Sequence, residues 1–205
     1  MDQEIVNLII GFVLTTVLGG ALGSYLQQRS WNHQNEAHLK EEELKRANEV
    51  CESVSQLLDR RLYRMRRLYF ACQGYAQGST SQEVLEQRLQ DYDKVLYEWN
   101  DRLNLNLALV GTYFGRSARA YLDANIYIRF RDVGIELERA YREVSQKSQR
   151  NYNFAELLNQ LDQLNKEVYG LGVFMMTRLR GGQVGRSAPE PLAASTLKES
   201  IAKKN

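Results

Sequence analysis

Through most of this chain apolar residues recur every third or fourth position, the period of an amphipathic helix. The longest stripe runs Leu44, Ala47, Cys51, Val54, Leu58, Leu62, Met65, Tyr69, Cys72. Gly78-Ser79-Thr80-Ser81 ends it, and Thr80 followed by Glu83 has the capping-box spacing that opens a second helix. That helix carries Leu85, Leu89, Tyr92, Leu96, Trp99 and Leu103. Its continuation, LNLNLALV over 103–110, alternates like a strand. Leu103, Leu107 and Val110 nevertheless keep the helical register, so helix is expected there too. Gly111 and Gly115 bracket the next break. A third stripe follows: Leu122, Ile126, Phe130, Val133, Leu137, Ala140, Val144. After a polar turn over 146–153, Asn153 with Glu156 has N-cap spacing. The fourth stripe is Phe154, Leu157, Leu161, Leu164, Val168, Leu171, Met175, closed by Gly181-Gly182. Four stripes with short connections predict an all-α, up-down four-helix bundle.

Two stretches upstream break this pattern. Ile5 to Leu26, IVNLIIGFVLTTVLGGALGSYL, contains no charge. As a helix it is about 33 Å long, enough for a hydrocarbon core of about 30 Å. Arg29 to Glu43 is polar on every face, the pattern of a solvated stalk. The expected fold is therefore an N-terminal single transmembrane helix continuing through a helical stalk into the bundle. Its parts are an anchor over 1–28, a stalk over 29–43, the bundle over 44–180 and a flexible tail over 181–205. The tail holds Pro189 and Pro191, the only prolines, and has room for a weak helix over Leu192–Lys203. Tyr25 and Trp31 are expected at the membrane interface, where amphipathic rings settle. Asp2 and Glu4 precede the apolar run, whereas Arg29, Lys40, Lys45 and Arg46 follow it. Positive residues stay cytoplasmic, so the N-terminus is expected outside and the helical domain inside a bacterial inner membrane. An acidic start and a long apolar run argue against a cleaved leader.

Gly11, Thr15, Gly19 and Gly23 recur every four residues within the run, and Asn7 extends the row. Small residues at this spacing let backbones approach closely in lipid, and an amide there gains by facing another subunit. The ladder predicts a homo-oligomer.

A net charge of +2 singles out no bulk partner. Cys51 and Cys72 lie about 31 Å apart along a continuous helix, too far for a disulfide, and read as small core residues. The chain has no phosphate-binding loop, no Cys-x-x-Cys and no Gly-x-Ser-x-Gly. His33 and His38, the only histidines, fall in the polar stalk with no convergent ligands. No catalytic residue, metal site or cofactor is expected, and the protein is read as non-enzymatic. Asn100 and Asn104 share a helix face and are expected to hydrogen-bond across the bundle.

The strongest polar feature is DRRLYRMRRLYF, Asp59 to Phe70. Arginine grips phosphates and carboxylates in bidentate fashion, and the nearby Tyr63 and Tyr69 can stack on a base. Arg60, Arg61, Arg64, Arg67 and Tyr63 are therefore the candidate site for an anionic ligand or an acidic protein partner, with nucleotide or nucleic acid as a further alternative. The competing reading is ion pairing to acids of neighbouring helices or subunits.

These features describe a self-associating membrane protein, in contact with lipid through its anchor, whose cytosolic bundle senses a ligand or partner. In its order of elements the chain is similar to small membrane effectors that accompany bacterial anti-phage systems. The resemblance implies that assembled anchors perturb or perforate the membrane. A passive scaffold that recruits a cytosolic partner and a tethered nucleotide- or nucleic-acid-binding module are the alternatives.

Overall fold

The computed structural model describes residues 3–146 and 152–187, and within them the side chains of 11–13, 16, 20, 22–146 and 152–186. Among the described residues every regular element is helical. In chain order they are α1 (Gln3–Ala76), α2 (Gln82–Phe114), α3 (Arg116–Tyr121), a π-helical segment (Leu122–Tyr127), α4 (Ile128–Ser145), α5 (Phe154–Arg180) and a 3₁₀ turn (Gly185–Ser187). The chain divides into two compact units, Met1–Glu43 and Leu44–Asn205.

In the first unit every described side chain from Gly11 to Glu42 is exposed, including those of Tyr25 and Trp31. Among the described residues no helix is long and apolar enough to cross a membrane, so the expected transmembrane helix finds no support there. More than half of the apolar run over 5–26, with Asn7, Thr15 and Gly19 of the ladder, lies outside the described side chains. Gly11 and Gly23 are described, and a Cβ on either would meet nothing within 4 Å. Most of the expected turn over 146–153 and the tail from 188 onward also lie outside the described residues.

The second unit is a helical bundle, and its contacts give the helix directions. Arg60 and Arg64 of α1 pair with Glu98 and Asp91 of α2, so numbers rise on one helix as they fall on the other. Trp99 of α2 lies against Phe130, while Tyr92 reaches Gly134, so α4 again runs opposite to α2. Arg129 pairs with Glu167 of α5, and Tyr152, just ahead of α5, donates to the Glu136 carbonyl. Arg66 and Tyr69 reach Asp162 and the Phe154 carbonyl, which returns α5 antiparallel to α1. Each stripe turns inward. Val54, Leu58 and Met65 of α1, Trp99 and Val110 of α2, Ile126 and Phe130, and Leu161, Leu164 and Leu171 of α5 close one core. The first residue of the long stripe is an exception, because Leu44 remains exposed.

Local chemistry sets the boundaries. α1 ends where Gly78 takes a left-handed φ of 74° and the Ser79 and Thr80 amides fold back on the Gly74 carbonyl. A Cβ on Gly74 would collide with the Thr80 hydroxyl. Thr80 is thus occupied against α1, and Ser81 caps α2 instead, accepting from the Val84 amide at 3.4 Å. Gly111 does not interrupt α2, which runs through LNLNLALV to Phe114. Only Gly115, at φ 91°, makes a break. The third helical run begins at Arg116 rather than near Leu122, and it passes through the π segment before α4. Asn153 caps α5 as its spacing predicts, accepting from the Glu156 amide at 3.2 Å. Gly182, at φ 62°, completes the turn beyond α5.

Candidate functional site

The arginine run lies on α1 where it faces α2 and α5, and the structure separates its members. Arg60 donates to Glu98 at 2.9 Å, Arg64 to Asp91 at 3.2 Å and Arg66 to Asp162 at 2.6 Å. Asp91 also accepts from Arg88 and Gln87. These neighbours hold its carboxyl below the usual range, against a desolvation that pushes it up. Of the candidate ligand residues, Arg60 and Arg64 are engaged in helix-to-helix ion pairs, as the competing reading of the run expects. Surface pairs of this kind contribute about 0–1 kcal/mol each, so they set register more than stability.

Arg67 and Tyr63 remain outward. Tyr63 is exposed, with the Arg64 and Arg67 guanidinium carbons 5.8 Å and 6.0 Å from its ring centre. Phe70, one turn on, is exposed as well. Residues 63, 67 and 70 share a helix face, so Arg67 lies on one face with two aromatic residues open to solvent and contacts the ring of Tyr63. No salt bridge involves Arg67 among the described residues.

Arg61 goes the other way. It is 2% exposed, and its guanidinium carbon sits 4.6 Å from the Phe130 ring centre and 5.8 Å from that of Trp99. Those two rings are 6.3 Å apart, so the three centres form a triangle and the cation is flanked rather than sandwiched. The Tyr92 hydroxyl and Tyr127 lie close enough to favour the charge, but burial dominates and lowers the affinity of Arg61 for its proton. Tyr92 shows the complementary effect: burial raises its pKa, and the neighbouring Arg61 moderates the rise. The expectation that Arg61 reaches a surface ligand is therefore corrected. The spacing held the signal, since Val54, Leu58, Arg61, Met65, Leu68 and Cys72 step by four, three, four, three and four through the buried stripe.

The paired amides also differ from expectation. Asn100 and Asn104 are exposed, and Asn106 is the buried amide of α2, 5% exposed and following Trp99 and Leu103 in register. Among the described residues no group of three His, Cys, Asp or Glu side chains is placed to hold a metal ion. A polar groove of about 450 Å³ between α4 and α5 is lined by Glu136, Arg139, Glu143, Tyr152 and Glu156. Arg139 pairs with Glu136 and Glu143 inside it, and with Glu156 on the same lining the groove stays net acidic. Compared with known proteins, the chain matches no family model, no curated protein and no solved structure.

Proposed function

We propose that this is a self-associating, single-pass inner-membrane protein whose helical bundle receives an acidic partner through the Tyr63–Arg67–Phe70 face of α1. The observation that carries the partner half is the exposed Arg67 against the exposed Tyr63 ring, on one face with the exposed Phe70 and beside arginines already committed to carboxylates. Tyrosine and arginine are among the residues enriched at energetic centres of interfaces. With Arg60, Arg64 and Arg66 paired internally, the face offers too little free positive charge to track a phosphate backbone. A protein carboxylate suits it better than nucleic acid does. The membrane half rests on the charge-free run over 5–26, its basic C-terminal flank and the Gly11, Thr15, Gly19, Gly23 ladder. In the effector form of this reading, partner binding drives assembled anchors to perturb the bilayer. In the scaffold form, the anchors only localise the partner.

Topology is tested by fusing alkaline phosphatase after Asn205. The fusion should be inactive and sediment with membranes after alkaline washing; an active or soluble fusion overturns the placement. Gly19→Leu with Gly23→Leu should reduce the subunit number in detergent. Arg67→Glu with Tyr63→Ala should abolish any loss of membrane potential on expression while the thermal midpoint holds. Unchanged potential in cells expressing the natural chain favours the scaffold form.

A further inference from the structure

The core holds a cation that meets the Tyr92 hydroxyl but, among the described residues, pairs with no carboxylate. Arg61 is 2% exposed, yet its Nε and Nη1 have no hydrogen-bond partner on the protein. The other buried arginine nitrogens without partners, Nε of Arg64 and Nε of Arg66, belong to guanidinium groups that already hold a carboxylate. Arg61 holds none. Next to it Trp99 is fully buried, and its indole Nε1 also lacks an acceptor. Nearly all buried donors in folded proteins meet an acceptor, and a buried charge needs one most. Three buried nitrogens on two adjacent side chains therefore lack an acceptor, and beside a guanidinium a negative one is preferred. Phe130 covers one side of the guanidinium, and Gly134 packs so tightly on Tyr92 that a Cβ there would lie 2.7 Å from its hydroxyl. An occupant must be small. We infer that Arg61 and Trp99 form an internal binding site for a small inorganic anion of the halide class. Such an ion neutralises the buried charge, accepts from indole and guanidinium together, and ties α1 to α2 and α4.

This site lies apart from the outward face at Arg67, and its test does not depend on membrane insertion or partner binding. The probes are chloride, bromide and iodide, applied to the full chain in detergent. The chain has two tryptophans, so Trp31→Phe leaves Trp99 as the sole indole reporter. Iodide should quench Trp99 along a saturating curve, and chloride should relieve the quenching competitively. Gluconate at equal ionic strength should do neither. Arg61→Met should remove the saturating component, and Arg61→Lys, which keeps the charge, should retain part of it. Quenching that rises linearly with iodide and ignores chloride overturns the inference. So does an equal response to gluconate, which marks plain ionic strength. If Arg61→Met does not fold, the chloride–iodide competition on the Trp31→Phe protein still decides.

Discussion

The two stretches of α1 are both helical, but they hold that form in different ways. From Gly11 to Glu42 every described side chain is exposed, whereas from Ala47 to Cys72 one face is buried without interruption. In the first stretch, local contacts join the described residues, such as Thr16 donating to the Phe12 carbonyl and His38 lying 3.7 Å from Glu42. Local pairs of this type are worth a few tenths of a kcal/mol. In the second, the stripe packs on three other helical runs, and tertiary burial rather than propensity holds it. Helix formation and burial are thus separate messages in one sequence, and each can be broken without the other.

The largest expected contrast uses the two tryptophans. Trp99→Ala empties the centre of the bundle, removing the ring beside Phe130 and Arg61, and should cost about 3–5 kcal/mol. Trp31, exposed in the first unit, should change stability by less than about 0.5 kcal/mol when made Ala. Urea unfolding of the full chain measures both, and equal effects would erase the distinction between the stretches.

Glycines sharpen the same point within the bundle. A Cβ on Gly134 would press the Tyr92 hydroxyl at 2.7 Å, so Gly134→Ala should destabilise by about 1–3 kcal/mol. Gly172 meets nothing within 4 Å and sits inside α5. Gly172→Ala should stabilise by about 0.5–1 kcal/mol, since only the flexibility of glycine is lost. Thermal midpoints of the two variants should move in opposite directions.

What the sequence disclosed follows this division. Period alone reveals which face of 47–72, 85–110 and 157–175 is buried, because burial there depends on spacing. The Asn153 cap is equally legible, being a bond between residues three apart. Ser81 in place of Thr80 is not, since what disqualifies Thr80 is its fold over Gly74, a contact that no local pattern encodes. The π segment keeps Leu122 and Ile126 four apart, as an α-helix would, and so leaves no mark in the stripe. The charge of Arg61 suggests a surface while its position belongs to the buried stripe, and Asn106, not the neighbouring Asn100 or Asn104, occupies a buried position of α2. In both cases the helical period marks the buried residue. The outward members of the site, Tyr63 and Arg67, were readable as a polar face, but the acids that claim Arg60 and Arg64 lie 38 and 27 residues away.

Burial also makes the bundle sensitive to alkali. Cys72, fully buried, has its thiol pushed up to about 12 from 9.0, and burial likewise moves Tyr121 to about 12 from 10.0. Both groups are neutral below their unfolded pKa, so nothing is lost there. Above pH 9 the unfolded chain sheds the Cys72 proton while the folded chain keeps it, and stability falls until the folded pKa is reached. The slope is about 1.4 kcal/mol per pH unit per group, which gives a loss of about 1.4 kcal/mol at pH 10 from Cys72 alone. Urea titrations at pH 8 and pH 10 should show this drop, and Cys72→Ala should reduce it by that amount. An undiminished drop would assign the alkaline sensitivity to other groups.

Smaller still is the ion pair on the bundle surface. The Arg60 and Glu98 side chains are 48% and 32% exposed, so solvent screens their attraction. Arg60→Ala should cost about 0.2–1 kcal/mol, shrinking as salt is raised. A larger, salt-independent loss would mean that the aliphatic stem of Arg60, not its charge, supports α2.

The smallest expected effect is the most direct test of the comparison. Glu36 lies inside α1 in the first unit, exposed and flanked by exposed residues. Glu36→Pro removes one backbone hydrogen bond and sets the ring against the carbonyl of residue 32, a local loss of about 3 kcal/mol for that turn. If the two stretches of α1 are held as described, this loss stays where it is made. The bundle's melting midpoint, followed by Trp99 fluorescence in a Trp31→Phe background, should not move, because no buried contact from Ala47 to Cys72 depends on the turn at Glu36. Far-UV helicity should fall slightly at low temperature without a new cooperative transition. A lowered midpoint would show that the exposed stretch and the buried one unfold as a single cooperative element. Local pairs along Gly11–Glu42 would then contribute to the bundle's stability, and the separation of helix formation from burial within α1 would have to be abandoned.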